Sequence, residues 1–405
     1  MKLQWFIVSL FLLFSCSSSE KNDDTDLFNQ FVTFEKVDSI VVRDILASVF
    51  LFQGVIDNQF IFRDHVSSEV YIFDDEGKLI SRWNKEGDVP GKFSMSSGNF
   101  LFDREGRVVV LDIMHGLKVL ELDGNVIKDF SIYQFQVGLA GAFSLFDSQQ
   151  VIEKDGQEYL LYSLDIIEEF DGNYPAEFLR ERKNLLLTNL NTNETQKVIP
   201  FPQSSIFLNG KVFFFRDFRP VFYFDQLQQR LLLMFQGENV LYTYDWSGDS
   251  PVLIDSKTID LEGFEIATGF EPGSIQLGKI SEFDKRAYAS TIVNLSKVGS
   301  DFLLSYSGTP QDKAAIASVI AGGASDEIKT KLRNETPRGT FLLRPDGELI
   351  PVNLPPMHYG SFKVIGEDIY WMKKTDPDVE AEEFTLYRGK LKIEKLNPTF
   401  SQYHP

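Results

Sequence analysis

Ile61-Phe62-Arg63-Asp64 is followed by Val70-Tyr71-Ile72-Phe73, Asp74-Asp75-Glu76-Gly77 and Lys78-Leu79-Ile80, and the same order then returns. Val109-Val110-Leu111-Asp112 leads to Leu117-Lys118-Val119-Leu120, then Asp123-Gly124 and Asn125-Val126-Ile127. Asp112 lies 48 residues after Asp64, and Gly124 lies 47 after Gly77. Two matching offsets define a structural repeat. Its β-branched and aromatic runs suit strands, and the acidic-Gly pieces between them suit tight hairpins. A period in the forties with four short strands per unit predicts a β-propeller, whose blades circle a central channel and leave only short protected edges.

Between the two units stands Trp83-Asn84-Lys85-Glu86-Gly87-Asp88-Val89-Pro90-Gly91-Lys92-Phe93. This stretch resembles the Gly-Pro-Gly-Phe segment that opens each NHL-type propeller repeat, and Asp64 and Asp112 fall where that family places the aspartate closing its second strand. The likeness covers about 80 residues, and Met95 to Gly98 stand where the family carries a proline. As a whole the chain resembles the TolB-like or NHL-like six-bladed β-propeller lipoproteins of Gram-negative bacteria. That resemblance implies an all-β fold and brings no catalytic residue with it.

The pattern extends along the chain as six blades. The first covers 51–83 and the second 100–127. A third is expected from 143–147, 158–163, 184–190 and 196–199, and a fourth from 221–225, 230–235, 240–246 and 251–258. The fifth is read from 291–295, 301–306, 339–343 and 348–352, and the sixth from 362–365, 368–373, 384–388 and 390–394. A hairpin at 205–216 is left over as the seed of a further blade, so six or seven blades both fit. Residues 31–42 are apolar enough to pair with the last blade and close the ring, which would remove an exposed edge. The domain so defined spans 31–398, with a tail at 399–405.

The connection between second and third strands is short in the first blade but enlarged at 164–183, 307–338 and 374–383. In a propeller that connection shares one face with the blade-to-blade linkers, while the Asp-Gly hairpins lie on the other. Insertions gathered on one face mark it as the binding face. The middle one contains Ala314-Ala315-Ile316-Ala317-Ser318-Val319-Ile320 and, after Gly322-Gly323, residues 326–332. These read as two short helical pieces forming a partial lid.

At the N-terminus Lys2 precedes an apolar run, Trp5 to Phe14, too short to span a bilayer as a helix. Cys16 ends Leu13-Phe14-Ser15-Cys16 and is the one cysteine of 405 residues. The arrangement resembles the lipobox of bacterial lipoproteins. It implies a signal peptide over 1–15, acylation of Cys16, and a polar tether over 16–30 that lacks the apolar surface to fold. The resemblance places the chain at the outer membrane, on its periplasmic or its surface side, and makes the lipid anchor its sole membrane contact.

A formal charge of −19 without a basic run excludes a nucleic-acid partner, since phosphate binders need clustered Lys and Arg. No nucleophile elbow, phosphate loop, zinc helix or paired-cysteine site is present, and no motif requires a cofactor or a metal. Candidate ligand-binding residues are therefore loop residues at the enlarged face. His65 and His115 follow Asp64 and Asp112 in equivalent loops, either as an acid-base or metal pair or simply solvated. Arg63 belongs to the same loop as His65. Arg216, Asp217 and Arg219 suit a carboxylate or a sugar, or else tie loops together. Trp371 and Lys373 suit a stacked glycan, unless the Trp is core. The leading expectation is a lipid-anchored binding or scaffold protein for a protein or glycan partner. The competing one is a carbohydrate-active enzyme with two channel carboxylates about 5–10 Å apart.

Overall fold

The computed structural model describes residues 30–395 except 46, 48, 86, 88–91, 93–98, 113–115, 131–148, 164–172, 175, 275–287 and 376–382. Four of its sheets are four-stranded antiparallel units in chain order. They are β2–β5 (Phe50–Ile56, Gln59–Asp64, Glu69–Phe73, Leu79–Asn84) and β6–β9 (Leu101–Phe102, Val108–Asp112, Gly116–Leu120, Val126–Phe130). The third unit is β10, β11, β13 and β14 (Gln149–Lys154, Gln157–Tyr162, Lys183–Asn189, Thr195–Pro200). The fourth is β16–β19 (Pro220–Asp225, Arg230–Phe235, Val240–Asp245, Val252–Thr258).

The fifth unit, β20–β23 (Thr291–Val298, Asp301–Ser307, Arg338–Leu343, Leu349–Asn353), is joined to the sixth in one eight-stranded sheet. The sixth consists of β24 (Met357–Ile365), β25 (Asp368–Lys373), β26 (Glu383–Lys395) and, as its outermost strand, β1 (Gln30–Arg43). β1 runs antiparallel to β26 from Gln30↔Lys395 to Arg43↔Glu383. It also touches β23 of the fifth unit in parallel, at Val32↔Val352 and Thr33↔Asn353. The expected closure by 31–42 is therefore present. It differs in one respect: 384–394 is a single long strand, not two, and the chain's first strand fills the fourth place.

The core shows why there are six units. Residue alternation sends the two sides of each sheet to different neighbours. Ile61, Val70 and Ile72 pack with Phe100, Val108 and Val110 of the second unit. Phe60, Phe62 and Tyr71 pack with Tyr370, Met372 and Phe384 of the sixth. Further clusters join the second unit to the third, the third to the fourth, the fourth to the fifth and the fifth to the sixth. Each unit is thus buried against two others, and the last interface returns to the first: a closed six-bladed propeller.

The hairpin chemistry repeats as the sequence predicts. Asp74 Oδ1 accepts from the amides of Glu76 and Lys78, and Asp103 Oδ1 from those of Glu105 and Arg107. Each turn then needs a left-handed residue, supplied by Gly77 at φ 80° and Gly106 at φ 78°, where an L side chain is strained.

Two expectations require correction. The third blade's innermost strand is Gln149–Lys154, turned at Asp155-Gly156, whereas residues 143–147 lie outside the described residues. The segment 205–216 is not a hairpin and starts no seventh blade. It forms a 3-10 turn, Ile206–Leu208, a two-residue strand β15 (Phe213–Phe214) paired with β12 (Asn173–Tyr174), and a short helix α2 (Phe215–Phe218). Phe207, Phe213 and Phe218 are wholly buried in the cluster between blades three and four. An aromatic run that resembles a strand here acts as a plug at one end of an interface.

Gly389 tests the closure. A Cβ there would stand 2.4 Å from the Glu35 carbonyl oxygen and 2.8 Å from the Trp371 ring. The first of these is backbone and cannot swing aside. Gly389→Ala is expected to lower stability by about 1–3 kcal/mol, the usual cost of overpacking. Thermal melting of the purified domain checks it.

Candidate functional site

In a propeller the second-to-third-strand connections and the blade linkers share one face. Besides α2 it carries α1 (Ala176–Glu181) in the third-blade insertion and α3 (Lys313–Ile320) and α4 (Asp326–Glu335) in the fifth. The two helical pieces expected after 311 are thus present, capped by Asp312 and Ser325, whose side chains accept from the amides of Ala315 and Ile328. No residue of α3 is buried, and Leu332 is the buried residue of α4. Lys313 pairs with Glu265, and the Thr309 amide donates to the Gly263 carbonyl, so the hairpin leans on the linker between blades four and five. Of the sixth-blade enlargement, 376–382 lies outside the described residues.

In the first blade Arg63 and Asp64 are buried and hydrogen-bonded within their own loop. Asp64 is buried and its carboxylate accepts from the amides of Val49, Val66 and Ser67 and from the Ser67 hydroxyl. Burial alone would raise its pKa, but those hydrogen bonds outweigh it and hold the carboxyl below the ordinary value. The His65 amide donates to the Val49 carbonyl, so this loop fastens the chain as it leaves the closing strand. His65 itself is exposed, while Arg63 is buried, donating to the Ser68 hydroxyl and lying 5.6 Å from the Phe100 ring. Asp112 ends β7 opposite Gly116, and His115 lies outside the described residues.

On blades three and four, arginine and aromatic groups gather round α2. The Arg182 guanidinium lies 5.4 Å from the Phe215 ring and 5.0 Å from that of Phe218. Arg219 approaches the same Phe215 ring at 5.5 Å. Such contacts stabilise by roughly 0.5–2 kcal/mol depending on desolvation. Arg216 is exposed, whereas Asp217 is buried and accepts from the Phe214 amide. Of the four, Arg216 is the most exposed, and Arg182 is absent from the sequence-based candidates because it sits in an insertion without a motif.

Trp371 is buried between Phe34 and Tyr387, with ring centroids 5.6 Å from each, so its ring is core and not a stacking platform. Lys373 is exposed. Nearby, His358 is half-buried with Nδ1 3.0 Å from the Thr375 hydroxyl, and burial lowers its pKa.

The sequence offers no signal for a second deeply buried acid of this face. Glu238 sits in the 236–239 loop between β17 and β18 and is 1% exposed. Its carboxylate accepts from Tyr242 Oη at 2.8 Å, the Ser205 hydroxyl at 3.1 Å and the Ile206 amide at 3.4 Å. Burial pushes its pKa up against those three hydrogen bonds. The same loop receives and donates on every side: Gly237 N donates to Asp217 O, Gln236 N to Arg219 O, Ala267 N to Gly237 O, and Ile292 N to Gln236 O. It is the junction of both neighbouring linkers with the fifth blade's innermost strand. Among the described residues no group of three or more His, Cys, Asp or Glu is placed to hold a metal.

No family model matches the chain, and no curated protein matches it. Solved structures do. A member of the DUF4221 family from Bacteroides vulgatus superposes with a TM-score of 0.60 at 12% identity, covering 90% of this chain and 99% of that one. A protein of Bacteroides fragilis described as exported gives 0.51 at 10% identity, covering 93% and 98%. At these identities the likeness is one of fold, and it extends over the whole of both relatives.

Proposed function

We propose that the chain is a lipid-anchored binding or scaffold protein of the bacterial envelope that holds a protein or glycan partner on its loop-rich face. The observation that carries this reading is the relation of that face to the start of the propeller. Arg43 pairs with Glu383, next to the enlarged sixth-blade connection, so the Gln30 end of β1 and its partner Lys395 lie at the opposite, hairpin-bearing face. A tether running from Cys16 to Gln30 leaves from that side. The enlarged loops then point away from the membrane, where a partner can reach them. The likeness to NHL-type and TolB-like lipoproteins and the fold shared with an exported protein support the same placement. Among the described residues no helix is long and apolar enough to cross a membrane.

Acylation adds about 0.8 kcal/mol of membrane affinity per buried methylene, so several chains on one cysteine hold the protein firmly. Cys16→Ala is expected to move it from the membrane to the soluble fraction. Fractionation followed by intact-mass measurement checks this; a variant that still sediments, or a wild type that retains residues 1–15, contradicts the anchor.

A further inference from the structure

We infer that Glu238 is a pH-operated latch: neutral, it holds the Ile206–Leu208 turn against the 236–239 loop, and on ionising it releases that turn and loosens the segment carrying Arg216, Asp217 and Arg219. This inference needs no ligand and does not depend on the anchor or on the identity of a partner.

Glu238 joins two pieces of chain that are otherwise separate in sequence, accepting from Ser205 and Ile206 on one side and from Tyr242 on its own hairpin. All three donors are neutral. Among the described residues, the groups facing it from the surrounding elements do not supply a compensating cation. Asp217 and Arg219 meet the loop through their backbone carbonyls, and Asp217 turns its carboxylate to the Phe214 amide. Arg182 spreads its guanidinium over Phe178, Phe215 and Phe218, and Arg216 is exposed. From the next linker Glu265 pairs with Lys313 at the surface. The phenols of Tyr242 and Tyr244 are pushed above their ordinary range, by burial first and then by Glu238 itself, and stay neutral.

A carboxylic acid suits this site in its neutral form. Protonated, it can donate to the Ser205 hydroxyl or to Tyr242 while its other oxygen still accepts, so every polar group stays paired. Ionised, it is a buried charge with three hydrogen bonds and no counter-ion among the described residues, which is costly in a low-dielectric setting. The folded-state pKa therefore lies above the unfolded one, with burial as the main cause. For such an acid the stabilising contribution is complete below the unfolded pKa and is lost as pH rises through the folded pKa. The local way to relieve the charge is to let water in by lifting the turn. That turn is held by two amide bonds, Leu208 N to Ser205 O and Asn209 N to Ile206 O, both 3.2 Å.

Hydrogen exchange of the full chain reads this directly, through the Leu208 and Asn209 amides corrected for intrinsic pH-dependent chemistry. In the wild type their protection is expected to fall about tenfold or more between about pH 5 and about pH 8, as the raised acid ionises. Glu238→Gln keeps the shape and cannot ionise, so its profile is expected to be flat, with protection at the alkaline end above that of the wild type. Tyr242→Phe keeps the ring but removes one donor to the ionised form, so its loss of protection at the alkaline end is expected to exceed that of the wild type. Parallel profiles in wild type and Glu238→Gln overturn the latch. Should Glu238→Gln fail to fold, Tyr242→Phe decides alone, and a profile identical to the wild type overturns it.

Discussion

Removal of residues 1–43 is expected to destabilise the domain by roughly 5 kcal/mol or more, while removal of 1–26 leaves its melting unchanged. The difference is the closing strand. β1 contributes Val32 and Val42, each 1% exposed or less, and Phe34 at 8%, and burying side chains of this size stabilises by about 1.5–3 kcal/mol each. Val32 and Phe34 hold blade six to blade five, and Val42 holds it to blade one, so both interfaces of the last blade lose contacts together. The truncation also bares the long edge of β26, which becomes a template for pairing with other chains. A thermal melt of the two truncated proteins, with light scattering to detect association, provides the comparison. Equal melting temperatures contradict closure by β1.

Replacing 311–333 by a short Gly-Ser link is expected to leave the propeller folded and to abolish capture of its partner. The strands on either side need no bridge of that length, because Ser307 and Arg338 are already register partners. No side chain of α3 is buried, and the main apolar loss is Leu332, worth about 1.5–3 kcal/mol. A domain of this size loses only a few degrees in melting temperature for that. The helices present their apolar residues, among them Ile316 and Ile320, half-exposed on the face we propose as the binding face. Membrane-purified wild type and deletion variant, compared by what copurifies with each, provide the test. An unfolded variant shows the hairpin to be core, and a folded variant with undiminished binding removes the support for this face.

Sequence reading succeeds here wherever the chemistry is local. The Asp-Gly hairpins are visible because the carboxylate that accepts from amides two and four residues on, and the glycine that takes positive φ, are neighbours in the chain. The strands of the first, fourth and fifth blades follow from the same alternation. The reading fails where one residue type serves two purposes. Phe213-Phe214-Phe215 has the composition of a strand, yet only two of its residues pair and the rest plugs an interface, because the neighbouring blades leave an apolar gap that aromatic rings fill. Trp371 ends a strand at the level of a binding face, yet Phe34, about 340 residues earlier, covers it. Arg63 and Asp64 look like ligand groups because charged residues at strand ends so often are, but backbone amides and a serine take up Asp64, and Arg63 is buried.

By itself the sequence determined the repeat, the turn types, the all-β class and the single cysteine at the end of an apolar run, all of which depend on residues close in the chain. The tertiary structure alone decided that the sixth blade takes its outer strand from the N-terminus, that Phe207, Phe213 and Phe218 of the linker 201–219 are core, and that Glu238 is sealed from water. Those outcomes depend on which surface each blade meets. Burial of a carboxylate and choice of a strand's partner are set by groups tens to hundreds of residues away, brought together only when the ring closes.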